Sequence, residues 1–214
     1  GNGGGVWGIY TDSIRLSCRV FLNEWEAAAC GQPGPSKDRD QPANVPAAGY
    51  VAVNGNEVDI LVQVSNYLYG SGGIVSPIVF GTQEAVTKLR EWRTLQDLIL
   101  VAGFLLPAVY LLLIYRNRRK EKGLLHLGAF CIAGIFFVLT HGEKLIATAL
   151  PGLAYEWILK IQLVSTTFGY YFLLRYCAGS APARVHRSLL RALGGFCLLS
   201  LLLAMFPYRL YGKL

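Results

Sequence analysis

Asp59-Ile-Leu-Val-Gln-Val-Ser-Asn66, then Gly72-Gly73-Ile74 and Gly81, is followed shortly by an apolar run of membrane length that opens at Gln96. The two pieces require different folds. A short Val/Ile/Leu segment bounded by Asn and paired glycines reads as one of the last strands of a β-domain. An apolar run of about 20 residues reads as a transmembrane helix. The expected fold class is a membrane protein in which an N-terminal all-β extracytoplasmic domain, a partial β-sandwich over residues 1–81, precedes an α-helical transmembrane bundle.

Around that stretch, Glu57 to Ser65 predicts a strand whose Val, Ile and Leu run implies burial on both faces. Gly70 to Gly73 turns the chain, and Ile74 to Phe80 returns as the last strand. Upstream, Ser13 to Asn23 alternates, with Ile14, Leu16, Cys18 and Val20 on one side and Arg15, Ser17 and Arg19 on the other. Period two marks a strand with one buried face. Asn23-Glu24-Trp25-Glu26 predicts a hairpin turn. The Gly, Pro, Ser, Lys and Asp of residues 31–46 predict a long loop. Tyr50 to Val53 reads as a short edge strand, and Asn54-Gly55-Asn56 as a tight turn, since Asn and Gly tolerate positive φ. Residues 1–81 are too short for a complete sandwich, so further strands are expected before Gly1.

From Thr82 the period changes. Val86, Leu89 and Trp92 recur at helical spacing, Thr82 can cap, and Glu84 lies in the first turn. Residues 82–95 therefore predict a juxtamembrane connector helix. Continuity with the next apolar run favours a mechanical link into the membrane over a helix that merely packs on the β-domain. Four apolar segments follow in residues 96–214, at about 96–115, 124–141, 154–175 and 189–206. Arg116, Arg118, Arg119, Lys120 and Lys122 crowd the first loop, whereas the second carries only Glu143 and Lys144. The third holds Arg184 and Arg187, flanked by Arg175 and Arg191. Positive charge marks the cytoplasmic side. The first and third loops are thus expected inside and the N-terminal domain outside, in a multi-pass protein of the cell inner membrane. Four crossings would put Leu214 outside, so a chain that signals inward is expected to continue past it. Likewise, an exported domain needs a targeting segment, expected before Gly1.

The net charge of +7 would suit nucleic acid, but its concentration in loops between apolar runs assigns it to topology, so no nucleic-acid partner is expected. Cys131, Cys177 and Cys197 fall in or beside apolar runs and read as lipid-facing or packing residues. Cys18 and Cys30 lie in the soluble half, where a disulfide between them is one option and two free thiols the other. No Cys-x-x-Cys spacing occurs, and His126 and His141 lie at opposite ends of one segment, so no metal and no cofactor are expected. Within the third segment, Lys160 is near an end and can snorkel. Gln162 and Ser165, a turn apart, can hydrogen-bond a neighbouring helix.

No phosphate-binding Gly-rich loop, Ser/His/Asp set or carboxylate pair is present, so no catalytic residue and no enzyme activity are expected of this stretch. A ligand site is the better expectation. Sugars are held by aromatic faces and by polar side chains that replace water. Trp25, Gln63, Asn66, Tyr67 and Tyr69 are the candidates, with Tyr67 and Tyr69 spaced to share a face. Asn66 also suits closure of a turn by bonding its own backbone. Asn23, Gly72, Gly73 and Gly81 read as structural residues of turns.

These residues resemble a known family, the bacterial seven-transmembrane receptors with diverse intracellular signalling modules. Arg19-Val-Phe-Leu-Asn23, Cys30-Gly31 and Gly34-Pro-Ser-Lys37 look like the middle of that family's extracellular jelly roll. Leu61-Val-Gln-Val-Ser-Asn66 with Gly72-Gly73-Ile74 and Phe80-Gly81-Thr82 looks like its end. Thr140-His-Gly-Glu143 before Leu150-Pro151 is similar to the family's second helix and outer loop, and Phe206-Pro207 to the end of its fourth helix. Glu24 departs from the pattern, since Gly usually follows at the hairpin. The resemblance implies a carbohydrate-binding-like jelly roll, seven helices of which four are here, and a cytoplasmic effector that is a cyclase, kinase or phosphatase. The expected function is a transmembrane signalling receptor. Its partners would be a small extracytoplasmic ligand, with carbohydrate the implied class, the lipid bilayer, and a second copy in a homodimer, which would suit most such effectors. The alternatives are a transporter or channel subunit, and a membrane-anchored adhesion module, each with an exported β-domain.

Overall fold

A computed structural model describes residues 5–12, 14–43, 45–55, 57–67, 72–181 and 185–207. The chain divides into two compact units, residues 1–95 and 96–210.

The described residues of the first unit form eight strands: β1 (Gly5–Thr11), β2 (Ile14–Arg15), β3 (Ser17–Leu22), β4 (Trp25–Cys30), β5 (Ala47–Val53), β6 (Ile60–Ser65), β7 (Gly73–Ile74) and β8 (Ile78–Thr82). They form two three-stranded sheets, β5-β1-β8 and β4-β3-β6, and a small β2-β7 pair. Every pairing is antiparallel. Ile9 and Ala47 from one sheet meet Cys18, Val20, Leu22, Ala28 and Cys30 from the other in one core, joined by Ile14. The alternation seen in residues 14–20 is the cause, because it aims every second side chain inward. At one edge β5 approaches β4 so closely that a Cβ on Gly49 would overlap the Ala27 carbonyl.

Three strand expectations are corrected. Residues 13–23 do not form one strand: the chain breaks between β2 and β3 at Leu16, which is fully buried. Ile74 to Phe80 is not one strand either, because β7 ends at Ile74 and β8 starts at Ile78, with Pro77 between them. Proline has no N–H to give a ladder. β6 is not buried on both faces: Ile60 is 44 %, Leu61 56 % and Val64 37 % exposed. Among the described residues it is the edge of its sheet, hydrogen-bonded in the ladder to β3. An apolar run names a strand but not its place in the sheet.

The hairpin forms despite Glu24. Leu22 pairs with Trp25 around Asn23-Glu24, and Asn23 takes the left-handed conformation at φ 55°. The residue is held by Asp59, whose N–H donates to Asn23 Oδ1 at 2.9 Å and whose carbonyl accepts the Asn23 N–H at 2.8 Å. The 31–46 loop is closed on itself by a Gln32–Gln41 bridge and tied to the strands by the Ala43 N–H to the Leu16 carbonyl at 3.0 Å.

Helix α1 (Gln83–Asn117) starts as the sequence predicts, with Thr82 Oγ1 accepting the Ala85 N–H at 3.4 Å. It runs without a break through both units. The second unit continues with α2 (Lys122–Thr140), α3 (Leu145–Ala149), α4 (Tyr155–Ser180) and α5 (Arg187–Met205). Among the described residues three helices, α1, α2 and α5, are long and apolar enough to cross a membrane. That is one fewer than the four predicted spans. The third predicted segment forms α4, long enough at 26 residues but too polar to qualify. Its polarity is turned inward: α4 packs along both α2 and α5, and Lys160, Ser165 and Thr167 are buried on it. Ser165 and Thr167 hydroxyls donate to carbonyls of their own helix, which satisfies them in an apolar setting. Against α2, α1 sets Leu112 at Gly128 and Phe104 at Gly134, small residues that allow close approach.

Candidate functional site

Two of the five candidate ligand residues, Trp25 and Gln63, lie on opposite faces of one sheet. Gln63 lies opposite Arg19, which lies opposite Ala29, in one row across the β4-β3-β6 sheet. Trp25 lies opposite Leu22, which lies opposite Ile60. Leu22 and Arg19 are an odd number of residues apart, so the two rows face opposite sides of the sheet. Trp25 is 69 % exposed at the hairpin end, and Tyr67 is exposed just past β6. Asn66 packs on Gly72, where any Cβ would collide with the Asn66 amide. Tyr69 lies outside the described residues.

What the outer face does carry is a mixed patch. Gln63, Arg19 and Glu26 are its polar groups, with Phe21 and Leu61 between them. Arg19 Nε and Glu26 Oε2 are 3.7 Å apart, a loose and exposed ion pair. Of the residues read as structural, Gly73 sits at φ 103° and Asn23 at φ 55°, both left-handed. Gly81 does not need to be glycine on these grounds, because a Cβ there would make ordinary contacts with Ala85 and Val86.

A second constellation, which the sequence reading missed, lies on the other sheet. Gly8, Tyr10 and Asp12 alternate along and just beyond β1, and the first turns of α1 lie on the face they share. Val86, 1 % exposed, sits where a Gly8 side chain would be: a Cβ there would come within 2.9 Å of the Val86 Cβ. Tyr50, opposite Gly8, brings its Oη to 2.8 Å from Thr87 Oγ1. Arg93 Nη1 donates to Asp12 Oδ2 at 2.9 Å and to Tyr10 Oη at 3.2 Å, and its guanidinium stands 4.9 Å from the centre of the Tyr10 ring. Tyr10 is fully buried. The available signal was a glycine in mid-strand, which marks the close approach of another element.

In the second unit a polar cluster gathers where α2 ends. Asp97 of α1 accepts the Glu143 N–H at 2.8 Å, and Gly142, at φ 54°, leaves room for that carboxylate. His141 Nδ1 lies 2.8 Å from the Phe137 carbonyl and Nε2 lies 2.5 Å from Gln162 Nε2. A proton on Nδ1 satisfies both contacts, with Nε2 accepting from the amide. Gln162 thus reaches a neighbouring element as expected, whereas Ser165 bonds its own helix. Lys160 does not snorkel free: it pairs with Glu156 at 2.9 Å and lies over the Trp157 ring at 4.8 Å. Near it, α2, α4 and α5 leave an apolar cleft of about 440 Å³ lined by Phe136, Trp157, Val164 and Phe168, with Lys160 and Ser165 as its polar members. Asp97 was legible as the lone acid in the first apolar run.

Among the described residues no group of three or more His, Cys, Asp or Glu side chains is placed to hold a metal. The chain matches no family model, no curated protein and no solved structure.

Proposed function

We propose that the protein is a transmembrane signalling receptor of the bacterial seven-transmembrane kind. Its β-sandwich lies outside the inner membrane, senses a small ligand with carbohydrate as the class to test first, and passes the change through α1 to a cytoplasmic effector. The observation that carries this reading is the build of α1. Its first three turns are packed on the β5-β1-β8 sheet through Gly8–Val86, Tyr50–Thr87 and Arg93–Asp12, and the same helix supplies the first candidate span. A ligand with different affinity for two arrangements of that contact shifts their populations. The mixed outer face around Gln63, Arg19 and Phe21 is the proposed ligand surface. The basic loop after α1 supports an outside N-terminus.

The test pairs topology with binding. Single cysteines placed at Glu24 and at Arg119, in a background without other thiols, are labelled in intact spheroplasts with an impermeant maleimide. Labelling at residue 24 but not at 119 is expected. The reverse pattern would put the β-unit inside and end the receptor reading. A panel of mono- and oligosaccharides is then screened by thermal shift, and Gln63→Ala should abolish any shift. Saccharide flux into proteoliposomes, with no shift at the β-unit, would instead favour transport.

A further inference from the structure

Cys18 and Cys30 are used neither by the proposed ligand surface nor by the helix contact. Cys18 lies in β3 and Cys30 closes β4, and the two are direct partners in the antiparallel register. They are 0 % and 1 % exposed, so both sulfurs lie in the core of the first unit. Directly opposed residues in antiparallel strands have Cα atoms about 4.5–5.5 Å apart. Disulfides span Cα separations of about 4.4–6.8 Å. Register alone therefore brings the pair within bonding range. A hydrogen bond with Cys30, then burial, pushes the Cys18 thiol well above its ordinary value.

The surroundings tolerate loss of both protons. Cys30 Sγ donates to the Leu16 carbonyl at 3.8 Å, but that carbonyl also accepts the Ala43 N–H at 3.0 Å. The Val45 N–H donates to Cys30 Sγ at 3.1 Å, a contact that needs only a sulfur lone pair. Neither the Leu16 carbonyl nor the Val45 amide loses its last partner when the S–H bonds break.

We propose that Cys18 and Cys30 close a cross-strand disulfide that staples the β3–β4 hairpin in an oxidising compartment. This rests on the extracytoplasmic reading of the first unit. Two S–H bonds break and one S–S bond forms. Two protons leave to solvent, and two electrons pass to a disulfide-bearing oxidant, such as glutathione disulfide or a dithiol-exchange protein, which is reduced to two thiols. Buried thiols held protonated exchange slowly, so the bond forms as the hairpin folds.

The sequence makes the test direct, because trypsin cuts between the two cysteines at Arg19. The natural protein is taken from its own membranes under an alkylating reagent and digested without reductant. The expected result is Leu16–Arg19 joined to Val20–Lys37, two hydrogens lighter than the sum of the free peptides and separated by reductant. In parallel, spheroplasts are treated with trypsin to ask whether the exposed Lys37 and Arg39 are cut from outside. Alkylated Cys18 and Cys30 with the loop cut from outside would overturn the disulfide and leave the extracytoplasmic reading standing. Alkylated thiols with the loop protected would overturn both.

Discussion

Gly8 is the residue on which the helix contact turns. Its missing side chain is the space that Val86 occupies, and Tyr50 closes the same space from the next strand. Gly8→Val puts new atoms into a filled site. Overpacking of this kind costs about 1–3 kcal/mol. The expected outcome is lower stability of the first unit and faster amide exchange over residues 83–93, with exchange in β3 less affected. Unchanged exchange at 83–93 would mean that the helix is not held there. Arg93 and Asp12 make a weaker claim. Their side chains are about a third exposed, 34 % and 35 %, so solvent screens the pair. Its coupling in a double-mutant cycle should be about 0.5–1 kcal/mol.

At the scale of elements, two strands of the β4-β3-β6 sheet differ in kind. β3 is central and its inward side chains are sealed, with Val20 and Leu22 at 0 % exposure, whereas β6 is an edge. Val20→Ala removes buried methyl groups and leaves a gap, so a loss of about 2 kcal/mol is expected. Leu61→Ser, at a residue more than half exposed, should stay within about 0.5 kcal/mol. Denaturant melts of the two variants check the ranking. A large loss at Leu61 would show that the edge is covered in the natural protein. That contrast was not legible in the sequence, where residues 60–65 are the more apolar of the two strands. Hydrophobicity along a strand reports what it can bury, and pairing partners decide what it does bury.

Across the whole molecule, orientation is the property most open to test. The loop between α1 and α2 carries Arg118, Arg119 and Lys120, with Arg118 Nη1 3.4 Å from Glu121 Oε1. Changing all three to Gln removes most of the positive charge that, in the proposed topology, would hold that loop inside. The expected outcome is a mixed population in which part of the chains label from outside at residue 119, read by the same impermeant maleimide. A uniform inside location after neutralisation would show that the β-unit or later segments set the topology. α4 also belongs to this scale. It is not among the three helices picked out as spans by length and composition, and its buried Ser165 and Thr167 point into the packing with α2 and α5. Helices surrounded by other helices can carry polar residues that lipid-facing ones cannot.

The sequence by itself determined the division into β-sheets and helices, the capping of α1 by Thr82, the Asn23 turn and the bounds of α2 and α5 to within two residues. Each is a local matter: side-chain periodicity, a capping hydroxyl, a residue that tolerates positive φ, or an apolar length. Only the tertiary structure decided which strand is central, that Trp25 and Gln63 face opposite sides of a sheet, that Cys18 lies opposite Cys30, and that Gly8 receives Val86. It also decided that Asp97 holds the loop at Gly142. These are relations between residues far apart in the chain. They depend on which strands pair, and in what register, and no local pattern carries that information.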